Sequence, residues 1–299
     1  MDVPEGGPFL SRDALARGVS RRVLDSRLFA KPFQGVRVPA GVDLGLAEEC
    51  AAAQQFLPDV AAFSHVTALR LLGVEIPWRL ERDRRIHVVV PRRDFRRPRT
   101  GVVAHICTQL RPEVCVVDGL RVTSAAQTWL QLSHGMLIDD LVVLGDAMLR
   151  RKDPVTTSEA LLVRTEATHK MRGLATCRSA VDLVRPGTDL SMETRARLLL
   201  ITAGLPCPEV NQPVHSSSGA FLALPDMQYR DLKIAIEYDG DVHRTDPATW
   251  RRDVERRQRL EDDGWLIITA TADDVLRHPD RFLRRVRAAR VARRHLTFR

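Results

Sequence analysis

Three carboxylates and a histidine fall within a short reach of this chain. Asp226 sits in Leu224-Pro225-Asp226-Met227. Glu237 and Asp239 sit in Lys233-Ile234-Ala235-Ile236-Glu237-Tyr238-Asp239-Gly240, and His243 follows. The second stretch alternates as a β-strand does. Ile234, Ile236 and Tyr238 then share one face, and Ala235, Glu237 and Asp239 share the other. Glu237 and Asp239 stand about 6.6 Å apart on that face. Two carboxylates so placed raise each other's pKa unless a cation lies between them. With Asp226 arriving from upstream, three acidic groups aimed at one point suit a hard divalent cation, Mg2+ or Mn2+. The same residues also read as a strand ending in a polar turn, because Asp-Gly is ordinary turn chemistry.

The flanking sequence supplies elements to hold these acids. Residues 191–201 read as a capped helix with Glu193 in its first turn, where the helix dipole favours an acid. A strand, a Ser-Ser-Ser-Gly turn and a second strand over 213–224 lead into Asp226. A turn at 229–231 leads to the strand that ends in Glu237. Residues 247–263 form a strongly basic helix carrying Arg251, Arg252 and Arg256. A strand at 265–270 and helices at 273–276 and 280–294 follow. Those arginines suit phosphate oxygens, and they also suit a solvated helix face.

The N-terminal 8–41 reads as a small helix-turn-helix with a wing. Ser11 caps a helix over 12–17 that Gly18 ends, and Ser20 caps another over 21–28. Val19, Val23, Leu24 and Leu28 pack inward at helical spacing, leaving Arg21, Arg22 and Arg27 outside. Residues 33–39 form the hairpin wing, with Arg37 able to reach DNA. This arrangement lays a helix into the major groove. It also fits a helical cap with solvated arginines or a protein contact.

Helices are expected over 44–56 and 60–72, with His65 as a core or cap histidine. A strand follows at 85–91, then a loop with five arginines at 92–100, and strands near 101–107 and 119–122. Helices continue over 123–132, 138–151, 158–166 and 173–184. Arg185-Pro186-Gly187-Thr188-Asp189 interrupts all periodicity and marks a boundary. The expected division is 1–43, 44–184 and 190–296.

Composition narrows the function class. The chain has 299 residues and a formal net charge of +8. Its pI is near 9.8. Such a balance favours polyanionic partners, nucleic acid first. The five scattered cysteines form no CxxC pair, which argues against a disulfide framework or a zinc site and for a reduced, cytoplasmic setting. No run approaches the roughly 18 apolar residues of a membrane span. The N-terminus lacks the basic start and apolar core of a signal peptide.

The order helix with Glu193, hairpin with Pro225-Asp226, strand with Glu237, helix, strand, helix resembles the core of PD-(D/E)XK nucleases. Glu237-Tyr238-Asp239-Gly240 with His243, the helix opening Trp250-Arg251-Arg252-Asp253, and Gly264-Trp265 resemble their very-short-patch-repair-like subgroup more closely. The usual motif has a lysine where this chain has Asp239. Lys233 cannot replace it, being about 13 Å from Glu237 along a strand. The subgroup uses a histidine instead, which points to His243. This resemblance implies a C-terminal α/β restriction-endonuclease-like domain hydrolysing DNA phosphodiesters with Mg2+ or Mn2+. It implies Asp226, Glu237 and Asp239 as metal ligands, and Glu193 and His243 as further catalytic groups.

Residues 8–180 are similar to antitoxins of type IV toxin–antitoxin systems. Phe9, Arg17-Gly18-Val19-Ser20-Arg21, Gly35-Val36 and Val117-Asp118-Gly119-Leu120-Arg121-Val122-Thr123-Ser124 carry the likeness. It implies an α+β N-terminal part, a winged helix plus a mixed region, that binds duplex DNA through Arg21, Arg22, Arg27 and Arg37. The partners expected are duplex DNA and a cognate toxin or second protein. Two readings follow: a DNA endonuclease, or an inert DNA-binding regulator or antitoxin.

Overall fold

The computed structural model describes residues 7–42, 44–96, 99–107, 112–240 and 247–297. It is a mixed α+β structure that divides into two compact units. One is Met1–Leu137 with Glu159–Arg178, and the other is Ile138–Ser158 with Ser179–Arg299. No helix among the described residues is long and apolar enough to cross a membrane.

The first unit opens with β1 (Phe9–Leu10), α1 (Ser11–Ala16), α2 (Arg21–Leu24), β2 (Phe29–Ala30) and β3 (Val36–Pro39), whose strands pair in the order β1-β3-β2. Phe9, Ala14, Val19 and Leu24 form its small core. Several expectations need correcting here. Ser11 is the first helical residue rather than the cap. Ser20 does cap α2, but that helix stops after Leu24, and Leu28 is 61% exposed. The wing hairpin joins β2 to β3 rather than lying wholly within 33–39.

The rest of this unit comprises α3 (Leu46–Gln54), β4 (Ala62–Phe63), α4 (His65–Leu71), β5 (Ile86–Val90), β6 (Val102–Ile106), β7 (Val114–Val117), β8 (Leu120–Thr123) and α5 (Ala125–Leu132). Five strands pair in the order β6-β5-β4-β8-β7. The helix expected over 60–72 is half strand. Ala62 and Phe63 pair with Val89 and Val88, and that sheet contact overrides their helical spacing.

Folding also gathers three histidines. His65, at φ +52°, stacks on His105 with ring centres 3.6 Å apart. His105 Nε2 lies 3.0 Å from His87 Nδ1, and His87 Nε2 lies 3.1 Å from Asp83. Their separation in sequence hid this cluster.

α6 (Ile138–Met148) begins the second unit. α7 (Ser158–Glu166) and most of α8 (Leu174–Val181) return to the first. Three interactions bind α6 to α9 (Ser191–Thr202). Asp146 accepts from Arg197 Nη2 at 2.7 Å and from Thr194 at 2.8 Å, and Asp140 accepts from Arg195 at 2.8 Å. Arg185–Asp189, expected as the linker, is tied into the same unit. Arg185 N–H donates to Asp146 at 2.7 Å, Gly187 N–H to Leu149 O at 2.9 Å, and Arg151 pairs with Asp189. The sequence signal at Pro186-Gly187 was a turn, not a boundary.

Strands β9 (Glu209–Val210), β10 (Val214–His215), β11 (Phe221–Ala223), β12 (Met227–Tyr229) and β13 (Ile234–Asp239) follow. Then come α10 (Pro247–Asp262), β14 (Leu266–Thr271), α11 (Ala272–Leu276) and α12 (Pro279–Thr297). β10 and β11 form the expected hairpin. The main sheet runs β14-β13-β12-β9, with β12 antiparallel and β14 parallel to β13. The alternation of β13 is as expected. Ile234 and Ile236 pack with Ala196, Leu200, Phe282 and Val286 on one face. Ala235 packs with Leu222, Leu260 and Trp265 on the other.

Candidate active site

β13 is buried on both faces until its last residues, so its polar end emerges at the edge of the core. There, in the second unit, lies a cleft of about 1040 Å³. Glu193 enters it from the first turn of α9, Asp226 from just before β12, and Glu237 and Asp239 from the end of β13. The parallel pair β13–β14 ends here, and α10 brings Asp253, Arg256 and Arg257 to the rim. A cleft at the carboxyl ends of parallel strands is where open α/β sheets commonly take ligands.

Each acid is held differently. Glu193 is 4% exposed, and its Oε2 accepts from the Asp189 N–H at 3.1 Å. Asp226 Oδ2 accepts from the Tyr238 N–H at 2.6 Å, a bond that fixes β12 against the end of β13. Burial, then the neighbouring Asp226 charge, pushes the Glu193 carboxyl up to about 7. Burial pushes Asp226 up to about 6, against the Tyr238 N–H. Both acids therefore carry protons near neutral pH, which ordinary carboxylates do not.

Glu237 has a cation of its own. Arg256 meets it at two points, Nη1 to Oε1 at 2.7 Å and Nη2 to Oε2 at 3.3 Å. Arg257 lies 3.9 Å from Oε2 and donates to Thr269 at 3.1 Å. Among the described residues, no group of three or more His, Cys, Asp or Glu is gathered so as to hold a metal ion. The set Asp226, Glu237 and Asp239 thus does not fit a metal as it stands. One oxygen of Asp226 is engaged by a backbone donor, and both oxygens of Glu237 face a guanidinium.

The structure therefore brings Glu193, Asp226, Glu237 and Asp239 to one cleft, while His243 lies outside the described residues. Arg251 and Arg252 are exposed on α10, whereas Arg256 is turned to Glu237 rather than outward. In the first unit Arg21, Arg22 and Arg27 are exposed. Arg37 is held differently from what its sequence position suggested. It donates to Leu24 O and to Asp25, each at 2.8 Å, pinning the wing to α2. Asp189 and Asp253 were missed because neither falls in a motif.

Two curated proteins of Mycobacterium tuberculosis, from strains CDC 1551 / Oshkosh and H37Rv, are similar to this chain. Each is 28% identical over 197 residues, covering 66% of this chain and 69% of the relative, and each is described only as an uncharacterized protein. No protein-family model matches the chain, and no solved structure matches it.

Proposed function

We propose that this chain is a DNA-binding protein whose second unit is an endonuclease acting on phosphodiester bonds. The observation that carries the reading is the meeting of Glu193, Asp226, Glu237 and Asp239 from three separate stretches at one cleft with an arginine rim. The order helix, hairpin, antiparallel strand pair, helix and parallel strand supports it, because it follows the sequence order of the nuclease core. In this reading the exposed Arg251 and Arg252 hold backbone phosphates beside the cleft. Arg21, Arg22 and Arg27 bind duplex DNA from the first unit. Mg2+ or Mn2+ is the cofactor that the resemblance implies. No step is drawn through it, because the carboxylates are not assembled around a cation.

The test is cleavage of supercoiled plasmid and duplex oligonucleotides with added Mg2+ or Mn2+. Intact protein is expected to cut, and Asp226→Ala and Glu237→Ala are expected not to. Cleavage that survives both substitutions refutes the assignment.

One observation favours a second reading: Glu237 is already neutralised by Arg256. A regulator or antitoxin with an inert second unit would keep such a pair permanently. It would bind an operator with steep salt dependence and cut nothing under any metal. A toxin encoded beside it would be its partner.

A further inference from the structure

Arg256 occupies an unusual position for a residue on a basic helix. α10 presents Arg251 and Arg252 to solvent, yet Arg256 turns inward to Glu237, whose side chain is only 10% exposed. The contact is two-pronged, and Asp253 on the same helix adds a second carboxylate 3.6 Å from Arg256 Nη2. Arg256 itself remains 31% exposed, so its guanidinium bridges the buried acid and the open side of the cleft.

A guanidinium fork fits a carboxylate and a phosphate equally well. A divalent cation that approaches Glu237 while Arg256 is in place meets a like charge at contact distance, and no carboxylate oxygen there is without a donor. If Arg256 leaves for another anion, Glu237 becomes a buried, uncompensated charge that favours a cation strongly.

We propose that Arg256 is an exchangeable counter-ion. It holds Glu237 while the cleft is empty, passes to a backbone phosphate when DNA enters, and so opens Glu237 to a divalent cation. The ligand class is a nucleic-acid phosphodiester together with a hard divalent cation, each bound weakly alone and tightly together. This rests on the reading that DNA enters this cleft. It accounts for why the metal set is not assembled in the free protein, and it makes cation binding conditional on substrate. By linkage the coupling is reciprocal: the cation must tighten DNA binding by the same factor.

The experiment measures Ca2+ binding to the full chain by calorimetry, alone and with a saturating short DNA duplex. Ca2+ takes oxygen ligands in flexible geometry and serves as the probe. In the intact protein, duplex is expected to tighten Ca2+ by about tenfold, within the usual range of coupling. Arg256→Gln is expected to bind Ca2+ without DNA about as tightly as the intact protein does with it, and to lose the coupling. Arg256→Lys keeps the charge without the fork and is expected to retain a weakened coupling, which carries the test should Arg256→Gln not fold. Ca2+ affinity indifferent to DNA, or coupling unchanged by these substitutions, overturns the proposal. Cleavage is read separately. Coupling without cleavage removes the nuclease reading and leaves this one standing, and cleavage without coupling does the reverse.

Discussion

Removing Asp146 should destabilise the second unit more than any other single change at its charged core. Asp146 and Arg197 are both 0% exposed and 2.7 Å apart, and the same carboxylate accepts from Thr194 and from the Arg185 N–H. Asp146→Ala leaves a guanidinium that cannot lose its proton sealed away from water. Breaking a buried pair in this way costs about 3–5 kcal/mol, a large part of a domain's usual stability. The reverse change, Arg197→Met, should cost less. The abandoned carboxylate can take a proton, and burial already raises its pKa. Replacing both with apolar residues, Asp146→Leu with Arg197→Met, should recover most of the loss. Urea denaturation of the full chain, read through tryptophan fluorescence including the buried Trp265, measures each cost. A cost for Asp146→Ala below about 1 kcal/mol would refute the reasoning, and so would a double variant as unstable as the two singles summed. Glu193 should be displaced along with stability, because the pair holds α6 against the helix that carries it.

The histidine cluster makes the first unit acid-sensitive. Burial lowers His65 to about 3 and His105 to about 4, and it lowers His87 despite the nearby Asp83. The unfolded chain binds protons that the folded one refuses. Stability should therefore be complete above about pH 6.5 and fall toward pH 4, by up to about 1.4 kcal/mol per pH unit for each ring. His105→Gln should flatten that slope in thermal melts taken across the range, and an unchanged slope would count against it. Charge reversal at Arg21, Arg22 and Arg27 should weaken duplex binding about equally across sequences and reduce its salt slope, measured by fluorescence anisotropy. Arg37→Ala should instead lower the melting temperature, because its bonds run within the unit. Asp274→Ala should cost on the order of 2 kcal/mol in urea, removing a capping box with Thr271 and the pairs to Arg281 and Arg285.

Local pattern determined a good deal about this chain. The alternation from Ile234 to Asp239 reflects two-sided burial, and a strand's period of two survives whatever packs on it. Ser20 and Ser124 cap their helices as their positions suggest, because a cap depends on residues within one turn. Glu193, Asp226, Glu237 and Asp239 were legible as a set, and all four line the cleft.

Tertiary structure alone decided what those side chains face. Ala62 and Phe63 have helical spacing, yet they became strand because the sheet had a place for them. Proline and glycine at 186–187 looked like a linker until Asp146, far upstream, accepted a backbone N–H from that segment. His65, His87 and His105 meet only because helix and strands fold onto one another. Arg256 looked like a phosphate ligand because nothing in a helix's spacing reveals the neighbour across a cleft. The partner it has in the folded chain, Glu237, is the acid expected to hold the metal.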